Sequence, residues 1–316
     1  MRHRTIPLWL VAAGLLIAAC TATPASTPAT PVDGSQTDPA TVAPTAEPTA
    51  TSEPLAALVN GQAILLASYE QQAARYEASM AAAGQDVTTP EGEAALAEGR
   101  EWVLNLMIEQ ALIEQAAGQA GVTVTEEELE FTIAQLRQEI GDEAFEGWLQ
   151  SEGLSLDEMR VKLHSDMVAT KMATQIAESI PSQAEHIHAR HILVNTEEEA
   201  RQILSQLQAG EDFATLARSY SQDISTRDAG GDLGVFPLGV LTSPEVESVA
   251  FSLQPGQLSD VIASPLGFHI VQTVERIADM EIAPENLRLM RDQAVQNWLD
   301  HLHSTADIQR FVTPAP

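Results

Sequence analysis

The sequence predicts an α+β protein with a mainly helical part and an antiparallel sheet of four strands flanked by helices. Three observations predict it. Between residues 90 and 180 apolar side chains recur at three- and four-residue steps, the period of a helix with one buried stripe. From His188 the period changes, and the segments read strand, helix, helix, strand, helix, strand, strand, an order that suits an antiparallel sheet with helices packed on it. After that unit, Pro284 opens a last amphipathic helix with Leu287, Met290, Ala294, Trp298 and Leu299 at helical spacing, which needs a partner surface.

The elements follow in order. Residues 58–64, LVNGQAI, read as a small hairpin, because Asn60-Gly61 favours a type I′ turn. Ser68 with Gln71 reads as a capping box starting a helix. Thr89-Pro90 is a cap and first-turn pair, followed by Val103, Leu104, Met107, Ile108, Ala111 and Leu112 to about Gln119, with Gly121 as the stop. Thr125 and Glu128 form a second capping box before Leu129, Ile133, Leu136 and Ile140, and Gly141 ends that helix. A short helix spans about 144–152, and Ser155 with Glu158 caps a longer one that stops before Pro181. The methionines here (Met159, Met167, Met172, with Met80 and Met107) either fill gaps in the core or form a pliable binding surface.

In the second part, residues 188–194 form a strand, 197–208 a helix with Ala200, Ile203, Leu204 and Leu207 inward, and Asp212 caps another helix. The polar stretch SYSQDISTRDAGGDLG reads as a loop leading to a strand at Val235-Phe236. Ser243-Pro244 starts a helix through Phe251, Pro255-Gly256 turns, and strands follow at 258–263 and 268–274. Residues 308–311 make a final strand.

The N-terminus is a targeting signal by its pattern. Arg2 and Arg4 precede an apolar run from Ile6 to Ala19, too short to span a bilayer and right for a secretory signal. It ends in Leu16-Ile17-Ala18-Ala19-Cys20, small residues before the only cysteine, which resembles a bacterial lipobox. Residues 1–19 are thus read as a lipoprotein signal peptide, with Cys20 as the lipidated residue of an extracytoplasmic, membrane-anchored protein. Residues 20–54 are rich in Thr, Pro and Ala and cannot pack a core, so they read as an extended tether reaching on the order of 50–100 Å. The chain has 316 residues and a formal net charge of −29. That balance argues against nucleic acid as a partner, since phosphates are drawn to Lys and Arg surfaces.

Five stretches in the second part carry a resemblance: HILV (191–194), DFATLARSYSQD (212–223), GGDLG (230–234), AFSLQPGQLSDVI (250–262) and GFHIV (267–271). In order and spacing they resemble a parvulin-type peptidyl-prolyl cis-trans isomerase. VNGQAI, the start GVTVTEEEL and the WLDHL helix resemble the split helical chaperone domain of secreted foldases of the SurA/PrsA type. The resemblance implies a helical chaperone domain at 55–181, an isomerase domain at 184–278, and a C-terminal helix and strand at 279–312 folding back on the helical domain. It implies isomerisation of X-Pro bonds in unfolded or proline-containing secreted polypeptides, with no cofactor. The alternative is a holdase whose isomerase domain is weak or silent; a scaffold for one fixed partner is a third reading.

Catalysis of this kind needs no covalent step. The X-Pro amide faces a barrier of about 20 kcal/mol because it loses resonance as it twists. A site must grip the proline ring, exclude water and favour the twisted amide. By resemblance, His191 and His269 are paired histidines organising the floor of the site, Asp223 lies beside the twisting bond, and Ser264 bonds one of the histidines. Leu241, Val246, Phe251 and Phe268 are the candidates for the proline pocket; the family's Met and Phe are replaced by Leu241 and Val246. A core pair of histidines and a solvated loop aspartate are the plain structural readings of the same residues. The acidic run Glu197-Glu198-Glu199 would repel a phosphorylated substrate. His186, His188 and His191 do not make a metal site, because His186 and His188 share a strand face while His191 points to the other.

Overall fold

The computed structural model describes residues 53–312. The signal-peptide and Cys20 readings, and nearly all of the tether, lie outside these residues. Strands β1 (Leu55–Val59) and β2 (Gln62–Leu65) form the hairpin, with Asn60 and Gly61 both at positive φ, as a type I′ turn requires. Helix α1 (Leu66–Ala82) follows without a gap. Its cap is Leu65, with no side-chain bond, so the Ser68–Gln71 capping box does not form. The Leu66 amide bonds the Pro54 carbonyl instead, and this continuation of the hairpin starts the helix three residues early.

Four helices come next. They are α2 (Pro90–Ala120), capped by Thr89, α3 (Glu126–Ile140), α4 (Asp142–Glu152) and α5 (Leu156–Glu178). Both capping boxes, Thr125–Glu128 and Ser155–Glu158, are closed in both directions. One core joins Ala56, Val59, Tyr69, Leu104 and Ile108 across the hairpin, α1 and α2. A second joins Ala117, Leu129, Phe145, Met159 and Met172 across α2 to α5. Met80, Met159 and Met172 are buried, and Met107 and Met167 pack on these cores, which favours the gap-filling reading of the methionines.

The sheet unit comprises β3 (Gln183–Val194), α6 (Glu197–Gln208), α7 (Phe213–Tyr220), α8 (Ile224–Arg227), β4 (Asp232–Pro237), α9 (Pro244–Ser252), β5 (Ile262–Ser264) and β6 (Gly267–Glu281). The strand order is β4-β3-β6-β5, antiparallel throughout. β3 and β6 run several residues beyond the apolar segments that predicted them. The strand expected at 258–263 is mostly absent: Leu258 makes one bridge to Gln272, and regular pairing begins only at Ile262.

Successive strand residues face opposite sides, and the two faces of this sheet have different cores. On one, Ile192, Val194 and Ile270 pack under α6 and α7. On the other, Ile187, Ala189, Phe236 and Val271 pack under α9 through Val246, Ala250 and Leu253.

Finally, α10 (Pro284–Thr305) packs along α5 and α2, and β7 (Ile308–Arg310) pairs with β1. Leu302 and Ile308 reach the first helical core and Trp298 the second. Among the described residues no helix is long and apolar enough to cross a membrane.

Candidate active site on the histidine face

His191 on β3 and His269 on β6 lie diagonally across neighbouring strands, since His191 pairs with Val271 and His269 with Leu193. Their rings stack with centroids 5.5 Å apart and planes 24° from parallel. The two Nδ1 atoms are 3.4 Å apart, at the long end for a hydrogen bond. Beyond them, His191 Nε2 meets Asp223 Oδ2 at 2.7 Å, and His269 Nε2 meets Ser264 Oγ at 2.7 Å. Asp223, His191, His269 and Ser264 therefore form one continuous chain of hydrogen-bonding groups across 78 residues of sequence between the rings.

The direction of that chain follows from Asp223. Burial opposes its charge, but hydrogen bonds from the Ser225 hydroxyl, Thr226, His191 and the Ser225 amide outweigh burial and hold the carboxyl well below the usual carboxylate range. As an ionised acceptor, it accepts a hydrogen bond from the Nε2–H of His191. With one proton on each ring, His269 Nδ1–H donates to His191 Nδ1, Ser264 Oγ–H donates to His269 Nε2, and the Leu266 amide donates to Ser264 at 3.0 Å. Every group is satisfied with both imidazoles neutral. His269 is held neutral by burial first and by His191 second, which together push its pKa down to about 4, against the opposing pull of Asp223 and Glu245.

Local sequence positions the acid. Asp223 caps the single turn α8, accepting from the Ser225 amide at 3.0 Å, and Thr226 Oγ1 donates to its other oxygen at 2.6 Å. Gly231 closes the loop behind it: its carbonyl accepts from the His191 amide at 2.8 Å, and its φ is +81°. A Cβ there would lie 2.1 Å from the His191 carbonyl oxygen, so only glycine lets this loop reach the histidine strand.

The apolar candidates divide. Leu241, Phe251 and Val246 belong to the core of the histidine face. Phe251 meets Phe236 edge-on at 6.1 Å, and Arg276 Nη1 donates to the Phe251 and Leu253 carbonyls at 2.7 and 2.9 Å, fixing the end of α9. Val246 is 2% exposed, so it backs the wall from within and offers almost no surface to a ligand. Phe268 is not on this face. It precedes His269, points to the opposite side and packs with Ile192 and Ile203 beneath α6. Its expected place in the proline pocket is corrected by strand alternation.

Thr226, Ser225 and Glu245 were not singled out by the sequence reading. An aspartate followed by Ser and Thr at the second and third positions is a cap signal that could have found the first two. Glu245, whose charge acts on His269, is placed by the turn into α9 and had no local mark. The three upstream histidines do not converge: His186 Nδ1 contacts the Ala184 carbonyl at 3.0 Å, and His188 pairs with Asp232 at 2.7 Å. Among the described residues no group of three or more His, Cys, Asp or Glu is placed to hold a metal.

This fold and this pair of strands are those of a parvulin-type isomerase: the PPIC-type PPIase domain of the rotamase family matches residues 191–275, and a SurA-like N-terminal domain matches residues 42–173. A foldase protein PrsA of Caldanaerobacter subterraneus is 32% identical over 276 residues, covering 83% of this chain and 89% of its own. Foldase protein PrsA 4 of Bacillus cereus is 30% identical, covering 66% of this chain and 75% of its own. The crystal structure of the peptidylprolyl isomerase PrsA from Bacillus anthracis is 27% identical with a TM-score of 0.41, over 64% of this chain and 94% of that one. The chain belongs to the PrsA foldase family.

Proposed function

We propose that this foldase isomerises X-Pro bonds of extracytoplasmic polypeptides on the histidine face of its sheet, while anchored to a bacterial membrane through a lipid on Cys20. The observation that carries the reading is the unbroken chain Asp223–His191–His269–Ser264 on the face that also bears Leu241 and Phe251. Asp223 supplies a fixed negative charge that disfavours the carbonyl dipole of the planar amide and favours the twisted one. His191, His269 and Ser264 hold that charge in place. Leu241 and Phe251 grip the proline ring, with Val246 behind them. Glu197, Glu198 and Glu199, in the first turn of α6, set the site against phosphorylated substrates.

The domain scheme goes with this reading: signal peptide 1–19, tether 20–54, helical chaperone domain 55–181, isomerase domain 184–278, and a returning segment 279–312. A protease-coupled assay on a short X-Pro peptide tests the site, with acceleration expected from the wild type and lost in Asp223→Ala. Incorporation of a labelled fatty acid that disappears in Cys20→Ala tests the anchor.

A second reading, client holding by the helical part, is favoured by one feature. A cleft of about 480 Å³ opens between α2, α5 and α10, walled by Leu112, Met172, Trp298 and Leu302 and rimmed by uncharged amides such as Gln119 and Gln175. Apolar walls with neutral hydrogen-bonding groups suit an extended backbone. Suppressed aggregation of an unfolded client by a variant lacking isomerase activity, reversed by Trp298→Ala, would establish it.

A further inference from the structure

Glu247 sits where its chemistry is least at home. It lies on α9, one residue after Val246, and is 6% exposed. Among the described residues it has no basic partner. Its Oε1 instead accepts hydrogen bonds from three successive backbone amides, those of Gly239, Val240 and Leu241, at 2.9, 2.9 and 3.0 Å. A buried carboxylate is costly unless donors converge on it. Here the donors belong to the loop between β4 and α9, whose amides have no strand to pair with. The carboxylate and the loop satisfy each other.

The consequence is positional. Val246 seats α9 in the core of the histidine face, and Glu247, its neighbour, ties the loop to that seat. The third tied amide is that of Leu241, which packs at the edge of the same core. On its outer side the loop meets α10, since a Cβ at Gly239 would lie 3.9 Å from Met290 Cγ. One carboxylate oxygen thus sets the backbone that carries an apolar wall of the site.

We propose that Glu247 is a positioning residue for the isomerase cleft: it touches no substrate, and by gathering the amides of residues 239–241 it holds Leu241 in place to grip the proline ring. The proposal rests on the reading of Leu241 as a pocket residue. A wall that must be ordered at each binding event weakens binding more than it slows the twisted amide's passage. The effect of losing the clamp therefore falls on KM.

The test is line-shape NMR on a short X-Pro peptide, which gives kcat and KM separately, with amide hydrogen exchange read at residues 239–241. Glu247→Ala is expected to raise KM roughly tenfold with kcat within about twofold, and to speed exchange at the three amides. Glu247→Gln keeps an acceptor oxygen without the charge and is expected to raise KM only about threefold. A purely structural role would lower Tm and leave KM of the folded fraction alone, and that result would overturn the proposal. If Glu247→Ala does not fold, fast exchange at 239–241 in Glu247→Gln with a wild-type KM overturns it equally. Leu241→Ala, measured alongside, separates two failures. If it leaves KM unchanged, the pocket reading falls and the clamp's role with it; if it raises KM while both Glu247 variants do not, only the clamp falls.

Discussion

The two faces of the four-stranded sheet are made by the same strands and differ in what they bury. Under α6 and α7 the buried core is apolar: Ile192, Val194, Ile203, Phe213, Leu216 and Ile270 close on one another, with Arg190 stacked over Phe213 and bonded to Gln272 at the edge. Under α9 the apolar core gives way, toward one end, to His191 and His269, both of them buried. Alternation along β3 and β6 does this: odd positions 187 to 191 and 269 to 273 turn one way and 192, 194 and 270 the other. Where the face under α9 exchanges aliphatic side chains for polar ones, the polar groups satisfy each other. The closed face holds the strands in register, and the other is the face on which the proposed chemistry would take place.

The largest effect is expected on the closed face. Ile203→Ala removes a buried side chain of α6 and is expected to cost about 3 kcal/mol in chemical denaturation, with isomerase activity per folded molecule unchanged. A loss of activity at unchanged stability would mean that the faces are not separable. The second effect is of pH. A histidine whose folded pKa is about 4, against 6.5 in the unfolded chain, binds its proton later on folding. Its contribution is fully present above pH 6.5 and is lost as pH falls toward 4, by roughly 3 kcal/mol at most. The groups that act on it are His191, Asp223 and Glu245. Asp223, Asp212 and Glu185 have lowered carboxyl pKa values, so their contributions fade in a separate window below about pH 4. Urea denaturation between pH 7 and 4 is expected to show the slope in the wild type and a flatter one in His269→Asn.

A smaller effect is expected from Val246→Phe. Enlarging a residue that is already enclosed overpacks the core and costs about 2 kcal/mol, with no tighter binding of a proline peptide. A gain in affinity would place Val246 at the surface of the pocket after all. Smallest is Ser264→Ala, which removes one neutral hydrogen bond at the far end of the histidine chain and should lower kcat/KM severalfold, about 1 kcal/mol.

Much of this was legible where the chemistry is local. The Asn60-Gly61 turn and the boxes at Thr125–Glu128 and Ser155–Glu158 complete themselves within three residues, so neighbours decide little. The α+β class and the pairing of His191 with His269 were read correctly too, the second through family resemblance, because 78 residues separate the rings. What failed was tertiary. Ser68 lost its cap to a hairpin bond made by Pro54. The outer part of β6 is mostly polar and exposed, and the start of β3 offers only Ile187 as a large buried apolar residue, so no apolar pattern marked them. Glu247 reads as an ordinary helix surface residue until the loop wraps onto it. Phe268 was legible and misread: alternation alone puts it opposite His269.

On the proposed reading the histidine face, and not its opposite, receives the X-Pro amide. Titration of a proline-containing peptide into protein with ¹⁵N-labelled histidines and ¹³C-labelled isoleucine methyls separates the two faces. Saturable shifts at the His191 and His269 rings, with Ile192 and Ile203 unmoved and the shifts lost in Asp223→Ala, are the expected result. Binding that leaves both rings undisturbed, or that moves the α6 side instead, would contradict it.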